Sequence, residues 1–144
     1  MSEGETMAHW LLKTEPSSWS WDQQVDAGVK GTSWNGVRNH SAKLHLMAMR
    51  IGDHAFFYHS GEGKEIVGIV EVTKAYYPDP TDKSGAFGMV DVKAVKPLKA
   101  PVTLQEIKAE PRLKEMVLVN NSRLSVQPVT DAEWALVCAK GGMG

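Results

Sequence analysis

The sequence predicts an α+β domain, most simply a small pseudo-β-barrel flanked by helices. Two observations carry this prediction: strand-like runs cluster in the middle of the chain, and capped helical segments lie on either side of them. The chain has 144 residues and is 42% hydrophobic, which suits one compact core. Because no repeat or linker divides it, we expect residues 8–142 to form a single domain and residues 1–7 to be a disordered tail.

The start of the domain predicts a strand followed by a short helix. Residues 9–14 (HWLLKT) are strand-like, and Pro16 disfavours regular structure on both of its sides. Ser20 and Gln23 have the spacing of a capping box, in which each side chain satisfies a backbone N–H at the helix start. Gly28 is suited to ending that helix.

Residues 38–52 (RNHSAKLHLMAMRIG) predict a second helix that ends at Gly52. Leu44, Met47 and Ile51 recur at helical spacing within it. We therefore expect these three side chains to form the face that packs on the core.

Three strands are predicted in the middle of the chain. Residues 53–60 (DHAFFYHS) and 65–77 (EIVGIVEVTKAYY) flank the segment 61–64 (GEGK), whose glycines are typical of a hairpin turn. The turn-rich segment 77–87 then leads to an alternating strand at 88–95 (GMVDVKAV).

The last third of the chain predicts a short helix, a strand and a final helix. Thr103 and Glu106 form a second capping box. Residues 122–129 (SRLSVQPV) predict the strand, and Thr130 with Glu133 caps the helix that follows it.

Composition and charge narrow the functional classes. Sixteen Lys plus Arg against 17 Asp plus Glu leave a formal net charge of −1, which argues against a protein that coats nucleic acid through bulk electrostatics. The single cysteine, Cys138, excludes an internal disulfide framework. We find no apolar run of about 20 residues and no secretory leader. We therefore expect no membrane contact and a cytoplasmic location, at the nucleoid in a bacterium or in the nucleus in a eukaryote.

The residue patterns required by the common catalytic and metal sites do not occur. His40 and His45 are five residues apart, as are His54 and His59, so neither pair shares a face of a helix or strand. The G-x-G of segment 61–64 lacks the longer glycine spacing of a phosphate-binding loop. We therefore expect a protein that is not an enzyme and that holds no metal and no cofactor.

Aromatic side chains beside turns suggest a binding cavity. Trp34 immediately precedes an Asn-Gly turn. Its side chain is too large to be left exposed, and it is too close to the turn for an ordinary core position. On an alternating strand, Phe57 shares one face with His59, and Tyr58 lies on the other face. We expect one face to belong to the core and the other, with Ser60, to line a cavity.

A basic segment accompanies these aromatic residues. Between residues 34 and 50 there are three cations (Arg38, Lys43 and Arg50), two histidines and no acid. Aromatic surfaces beside a local basic strip are suited to holding a nucleobase together with its phosphates.

Five motifs together resemble the EVE-domain family. WLLKTEP (10–16), WNGVRNHSAK (34–43), GDHAFFYHS (52–60), GIVEVTKAYYPDP (68–80) and RLSVQPVT (123–130) occur in the order and spacing of that family. The resemblance runs from about Trp10 to the last helix. It implies a PUA-like fold related to the YTH readers of methylated adenine in RNA. It also implies non-catalytic binding of a modified base in nucleic acid. The expected ligand is a cytosine derivative in DNA, with RNA as the alternative partner.

The resemblance also implies roles for individual residues. Trp34 is expected to form one aromatic wall of a base pocket, and Phe87 a second wall. The other expected pocket residues are Lys13, Thr14, Glu15, Tyr58, His59, Ser60, Arg123, Ser125 and Gln127. The expected phosphate contacts are Arg38, Asn39, Lys43 and Arg50.

Each of these roles has a structural alternative. Trp34 can be a lid packed on the core, and Arg38 can hold loop carbonyls or a carboxylate. The whole site can be a small-molecule or nucleoside pocket without polymer contacts, which the near-neutral charge favours slightly. A third possibility is a protein-interaction module that uses Trp19 and Trp21, although these are expected, with Trp10 and Trp134, to be packing residues.

Overall fold

The computed structural model describes residues 8–61 and 63–143, so the tail predicted for residues 1–7 lies outside the described residues. Within that part of the chain, six strands and five α-helices are found. The strands are β1 (His9–Thr14), β2 (Thr32–Ser33), β3 (His54–His59), β4 (Glu65–Pro78), β5 (Gly88–Thr103) and β6 (Val126–Val129). The helices are α1 (Trp21–Asp26), α2 (His40–Ala48), α3 (Leu104–Lys108), α4 (Val117–Asn120) and α5 (Asp131–Lys140).

The six strands form one mixed sheet in the order β2-β5-β4-β3-β1-β6. β1 and β3 are parallel, and the other neighbours are antiparallel. The parallel pair requires a crossover connection, which the segment containing α1, β2 and α2 supplies. The predicted α+β class is confirmed, but the sheet is open, with β2 and β6 at its edges, and does not close into a barrel. None of the described helices is long and apolar enough to cross a membrane.

The predicted capping boxes are confirmed at all three positions. The side chains of Ser20, Thr103 and Thr130 each accept a backbone N–H from the residue three positions later, and that residue's side chain accepts the N–H of the cap. Each cap satisfies two backbone donors that the first helical turn leaves unpaired. The starts of α1, α3 and α5 are therefore fixed by local sequence.

The structure extends or adds elements where the sequence pattern is weak. β5 continues to Thr103, beyond the predicted end at residue 95, because irregular pairing with β4 accommodates Pro97 within the strand. β2 and α4 were not predicted, since two and four residues are too short for a periodic pattern.

The predicted core face of α2 is wrong. Leu44, Met47 and Ile51 are 51%, 51% and 62% exposed, whereas Ala42 and Leu46 are fully buried. Both sets have helical spacing, so periodicity alone could not choose between them. The small side chain of Ala42 allows the helix to lie close to the sheet, and Leu44, about half a turn away, then faces solvent.

Both faces of the central strands are buried. On β3, Phe56 and Phe57 are fully buried and Tyr58 is 3% exposed. Phe57 belongs to an apolar cluster with Trp10 and Leu12, and its two neighbours belong to a second cluster on the opposite face. The expectation that only one face of this strand is core is wrong, because helices and loops cover a central parallel pair on both sides.

The corrected face of α2 gives a prediction. Leu46→Ala should lower the free energy of unfolding by about 2–5 kcal/mol, because it leaves a cavity against the sheet. Leu44→Ala, on the exposed side of the same helix, should change it by no more than about 0.5 kcal/mol. Urea unfolding of the two variants measures the difference. Equal losses would contradict the packing described for α2.

Candidate functional site

A cleft of about 470 Å³ opens where β1 ends, a volume suited to a small ligand. The end of β1 with the loop after it forms one side, and the segment 32–38 forms another. We call it the Trp34 cleft. Its lining residues are Lys13, Thr14, Ser18, Trp19, Thr32, Ser33, Trp34, Asn35, Gly36, Val37, Arg38 and Ser125.

Trp34 both packs on the core and lines the cleft. Its backbone N–H donates to the carbonyl oxygen of Val90 at 2.7 Å, which fixes the segment after β2 against β5. Its ring meets the ring of Phe57 edge to face, with the centroids 5.6 Å apart. Only 7% of Trp34 is exposed, so a ligand in the cleft meets a limited part of the indole.

Trp19 is the second aromatic residue of the cleft. It packs against the core, as the sequence predicts, but its place in the cleft lining was not predicted. Its indole Nε1 donates to Oε1 of the buried Gln24 at 2.8 Å, which orients the ring. The hydroxyl of Thr14 donates to the Trp19 carbonyl at 3.0 Å and ties the loop to the end of β1. A tryptophan directly before a capping box was the only sign of this position in the sequence.

A buried carboxylate holds the segment 34–38 in place. Asp79 is 2% exposed and accepts hydrogen bonds from the N–H of Gly36 at 2.8 Å and from Arg38 Nη1 at 3.1 Å. Thr81 donates to it through both its backbone N–H and its hydroxyl. Burial by itself would raise the pKa of Asp79, but these hydrogen bonds together hold that pKa well below its ordinary value.

Gly36 adopts a backbone conformation that this network requires. Its φ is +84°, in the left-handed region that glycine enters without steric penalty. The turn directs its N–H toward the Asp79 carboxylate.

Arg38 and Asn39, predicted as phosphate contacts, both have partners within the chain. Beyond Asp79, Arg38 donates to the carbonyl oxygen of Val37 at 3.1 Å and to the Thr81 hydroxyl at 2.9 Å. Arg38 therefore binds both a carboxylate and a loop carbonyl, the two alternatives that the sequence left open. Asn39 accepts the N–H of Ala42 at 2.9 Å and caps α2.

Phe87 lies beside the cations and outside the lining of the Trp34 cleft. The Arg38 guanidinium carbon is 5.9 Å from the centre of its ring, and the Lys43 ammonium is 5.8 Å from it. Both distances fit a cation–π contact. The structure thus places Phe87 next to two predicted phosphate contacts, where it orients them.

Two predicted pocket residues face the opposite side of the sheet from Trp34. Tyr58 lies in the second apolar cluster, and burial raises the pKa of its hydroxyl. Gln127 is fully buried and donates through Nε2 to the Leu124 carbonyl at 2.8 Å. Its Oε1 has no hydrogen-bond partner among the residues described.

His59 supports the start of α1. Its Nε2 accepts the backbone N–H of Trp21 at 3.1 Å, so the ring is neutral with its proton on Nδ1. Burial lowers the pKa of His59, against the opposing effect of Glu65 and Asp22. The side chain is thereby committed to the helix.

The remaining predicted residues do not line the Trp34 cleft. Glu15 and Arg123 are exposed, and the N–H of Ser60 donates to the last carbonyl of β1 at 2.9 Å. Arg50 follows α2, and its N–H donates to Asp53 Oδ2 at 3.0 Å. The Trp34 cleft therefore brings together five of the predicted residues, namely Lys13, Thr14, Trp34, Arg38 and Ser125. Among the described residues, no group of three or more His, Cys, Asp or Glu side chains is placed to hold a metal ion.

Residues 8–140 match the EVE domain family. The chain belongs to that family. Thymocyte nuclear protein 1 of Gallus gallus is 36% identical over 169 residues, which cover 92% of this EVE domain chain and 68% of the chicken protein. The predicted family membership is thus confirmed.

Solved structures agree with the fold. Rpa0253 from Rhodopseudomonas palustris is 66% identical with a TM-score of 0.91, covering 95% of this EVE domain chain and 94% of its own. Human THYN1, solved in complex with 5-methylcytosine containing DNA, is 32% identical with a TM-score of 0.87. The match covers 93% of this chain and 97% of the human chain. The YTH domain of Zygosaccharomyces rouxii MRB1 is 15% identical with a TM-score of 0.58. The match covers 95% of this chain and 88% of the YTH chain, and it supports the predicted likeness of fold.

The Asp79 network of this EVE domain gives a prediction. Asp79→Asn should lower the free energy of unfolding at pH 7 by about 2–3 kcal/mol, because buried donors lose a charged acceptor. The folded pKa lies below the ordinary value of 3.8, so the stabilisation by Asp79 is fully present above about pH 4 and is lost as the pH falls below it. Urea unfolding of both proteins at pH 7 and pH 3 should show a smaller difference at pH 3. A difference independent of pH would contradict an ionised Asp79.

Proposed function

We propose that this EVE domain binds nucleic acid that carries a modified base, a cytosine derivative in DNA, without catalysis, and that the Trp34 cleft receives the base. The observation that carries the proposal is a cleft with two tryptophans, Trp34 and Trp19, and a basic rim. The structure of human THYN1, which contains 5-methylcytosine DNA, matches 93% of the length of this chain. The location expected from the sequence stays a prediction.

The energetics favour a modest affinity. Displacing a base from a duplex costs a few kcal/mol, and stacking on one aromatic ring contributes about 1–3 kcal/mol. With Trp34 only 7% exposed, its contribution falls toward the lower value. A buried methyl group adds about 0.8 kcal/mol, or roughly fourfold in affinity. Discrimination therefore depends on polar groups of the cleft.

The cleft offers such groups on the segment 32–38 and at the start of β6. Asn35 is exposed and lines the cleft, and its amide both donates and accepts, as a base edge requires. The hydroxyls of Ser33 and Ser125 add further donors and acceptors. In our proposal these three residues read the base edge, since the expected pocket residues Glu15, Ser60 and Gln127 do not line the cleft.

Phosphates meet the basic side of the cleft. Arg38 uses three of its five N–H donors within the chain, so two remain for a phosphate oxygen. Lys43 lies next to it above Phe87. Three contacts, from Arg38, Lys43 and Arg50, would give a log–log salt slope of about −2.7 on duplex DNA.

Binding of a free nucleoside is the second candidate function. The pairing of Arg38 with Asp79 favours it, since that pairing reduces the positive charge at the rim. Binding of this kind would be independent of salt and would not need the polymer.

Matched tryptophan variants test the proposal. Wild-type protein should bind a duplex with 5-methylcytosine more tightly than the unmodified duplex, and Trp34→Leu should weaken that binding about fivefold, because a stacking surface worth about 1 kcal/mol is lost. Trp134→Leu, on the opposite face of the sheet, should leave binding unchanged. Fluorescence anisotropy of labelled duplexes at two salt concentrations measures this, with circular dichroism to confirm folding.

Two results would contradict the proposal. One is equal affinity for the modified and unmodified duplexes. The other is full retention of binding by a folded Trp34→Leu protein. Salt-independent binding of the free nucleoside, with no duplex binding, would establish the second candidate function instead.

A further inference from the structure

Three apolar side chains of α2 and of the turn after it are open to solvent. Leu44 and Met47 are each 51% exposed, and Ile51 is 62% exposed. We call these three residues the α2 ridge. Single exposed apolar residues are ordinary, but Leu44 and Met47 are three residues apart and share one face of α2, with Ile51 in the turn that follows. Exposed apolar side chains grouped in this way mark a contact surface.

The surroundings of the α2 ridge favour an anionic partner. Residues 34–52 contain no acid. Lys43, next to Leu44, has its ammonium above the Phe87 ring and has no carboxylate partner in the described part of the chain. A cation that is held in place and not neutralised adds to the attraction for a polyanion.

The acids of the neighbouring loop interact with groups other than Lys43. Asp79 is buried and engaged by Arg38 and Thr81. Asp82 accepts hydrogen bonds from Ser84 and from the backbone N–H of Phe87. Only Asp79 is buried; Asp82 is partly exposed, and the cation that acts on it electrostatically is Arg38, not Lys43.

The α2 ridge follows the Trp34 cleft closely along the chain. Arg38 lines the cleft, and Asn39 caps α2 immediately after it. Leu44 lies five residues beyond Asn39, which corresponds to roughly 8 Å along the helix axis. That length is comparable to two or three base-pair steps of about 3.4 Å each.

We propose that the α2 ridge enters a nucleic-acid duplex while the Trp34 cleft holds the displaced base. Leu44 and Met47 then contact the base pairs beside the gap that the base has left. Apolar side chains such as Leu, Ile and Met are those that proteins insert between unstacked base steps. The unbranched thioether of Met47 adapts its shape to different neighbours. The inference rests on the proposed function, and it adds how a duplex, as distinct from a single strand, is engaged.

The test presents one modified base in two settings. The probes are a labelled duplex with a single 5-methylcytosine and the same strand without its complement. The double variant Leu44→Gln/Met47→Gln should bind the duplex about tenfold more weakly, because the apolar contacts are lost. It should bind the single strand within about twofold of wild type, because a single strand has no gap to fill. Both positions are more than half exposed, so the fold tolerates the change.

A matched control uses another exposed apolar residue. Val29 is 89% exposed in a 3₁₀ turn after α1, away from the ridge. Val29→Gln should leave binding of both probes unchanged.

Several outcomes would overturn the inference. Unchanged duplex binding by the double variant would exclude a role for the α2 ridge. It would not exclude the Trp34 cleft as the base site, which binding of the single strand tests separately. Equal losses on both probes would also exclude a duplex-specific contact. A wild-type dimer that the double variant converts to a monomer in sedimentation velocity would show that the ridge joins two copies of the chain. If wild-type protein binds neither probe, the proposed function fails and the inference fails with it.

Discussion

The Trp34 cleft depends on one buried carboxylate. Asp79 joins the loop after β4 to the segment after β2, through Gly36 on one side and Thr81 on the other. A buried carboxylate is costly unless its oxygens are fully hydrogen-bonded, so this geometry is strongly specified. Arg38 completes the set of donors and keeps part of its guanidinium at the surface. One network thus both shapes a wall of the cleft and positions the cation at its rim.

The two faces of the sheet have different capacities to bind a planar ligand. On the face opposite Trp34, the ring of Trp134 stacks on Phe56 at 3.8 Å and on His9 at 4.3 Å. These two contacts cover part of its ring surface, and Trp134 lines the nearby groove of about 340 Å³ with its remaining surface. Burial raises the pKa of Cys138 in that groove and favours the unreactive thiol. We therefore propose the Trp34 cleft as the base site, because two tryptophans line it and only one lines the groove on the other face.

Local chemistry made much of the fold predictable from the sequence. The capping boxes at Ser20, Thr103 and Thr130 depend on residues three positions apart, so their partners can be identified without the tertiary structure. β1 and the β3–β4 hairpin were predicted for the same reason, from short periodic patterns. The buried face of α2 could not be predicted in this way, because Leu44 and Leu46 both fit a helical period and only packing against the sheet distinguishes them.

The candidate site was only partly predictable, because long-range contacts decide it. Trp34 was identified from its turn, and Arg38 from its motif, but the pairing of Arg38 with Asp79 joins residues 41 positions apart. The direction of Gln127 depends on how β6 pairs with β1, which places it against Leu11 and away from the cleft. Trp19 enters the site through a loop whose path is set by Thr14 and Gln24. No local pattern reports such contacts.

The measurement that tests the central claim most directly is an NMR titration of the ¹⁵N-labelled protein with a short oligonucleotide that contains 5-methylcytosine. If the Trp34 cleft receives the base, the largest shifts should occur at the indole N–H signals of Trp34 and Trp19 and at the backbone amide of Asn35. The indole signal of Trp134, on the opposite face, should remain unchanged. Shifts concentrated at Trp134 and Cys138, or an absence of shifts in the cleft while the oligonucleotide binds, would contradict the assignment of the site.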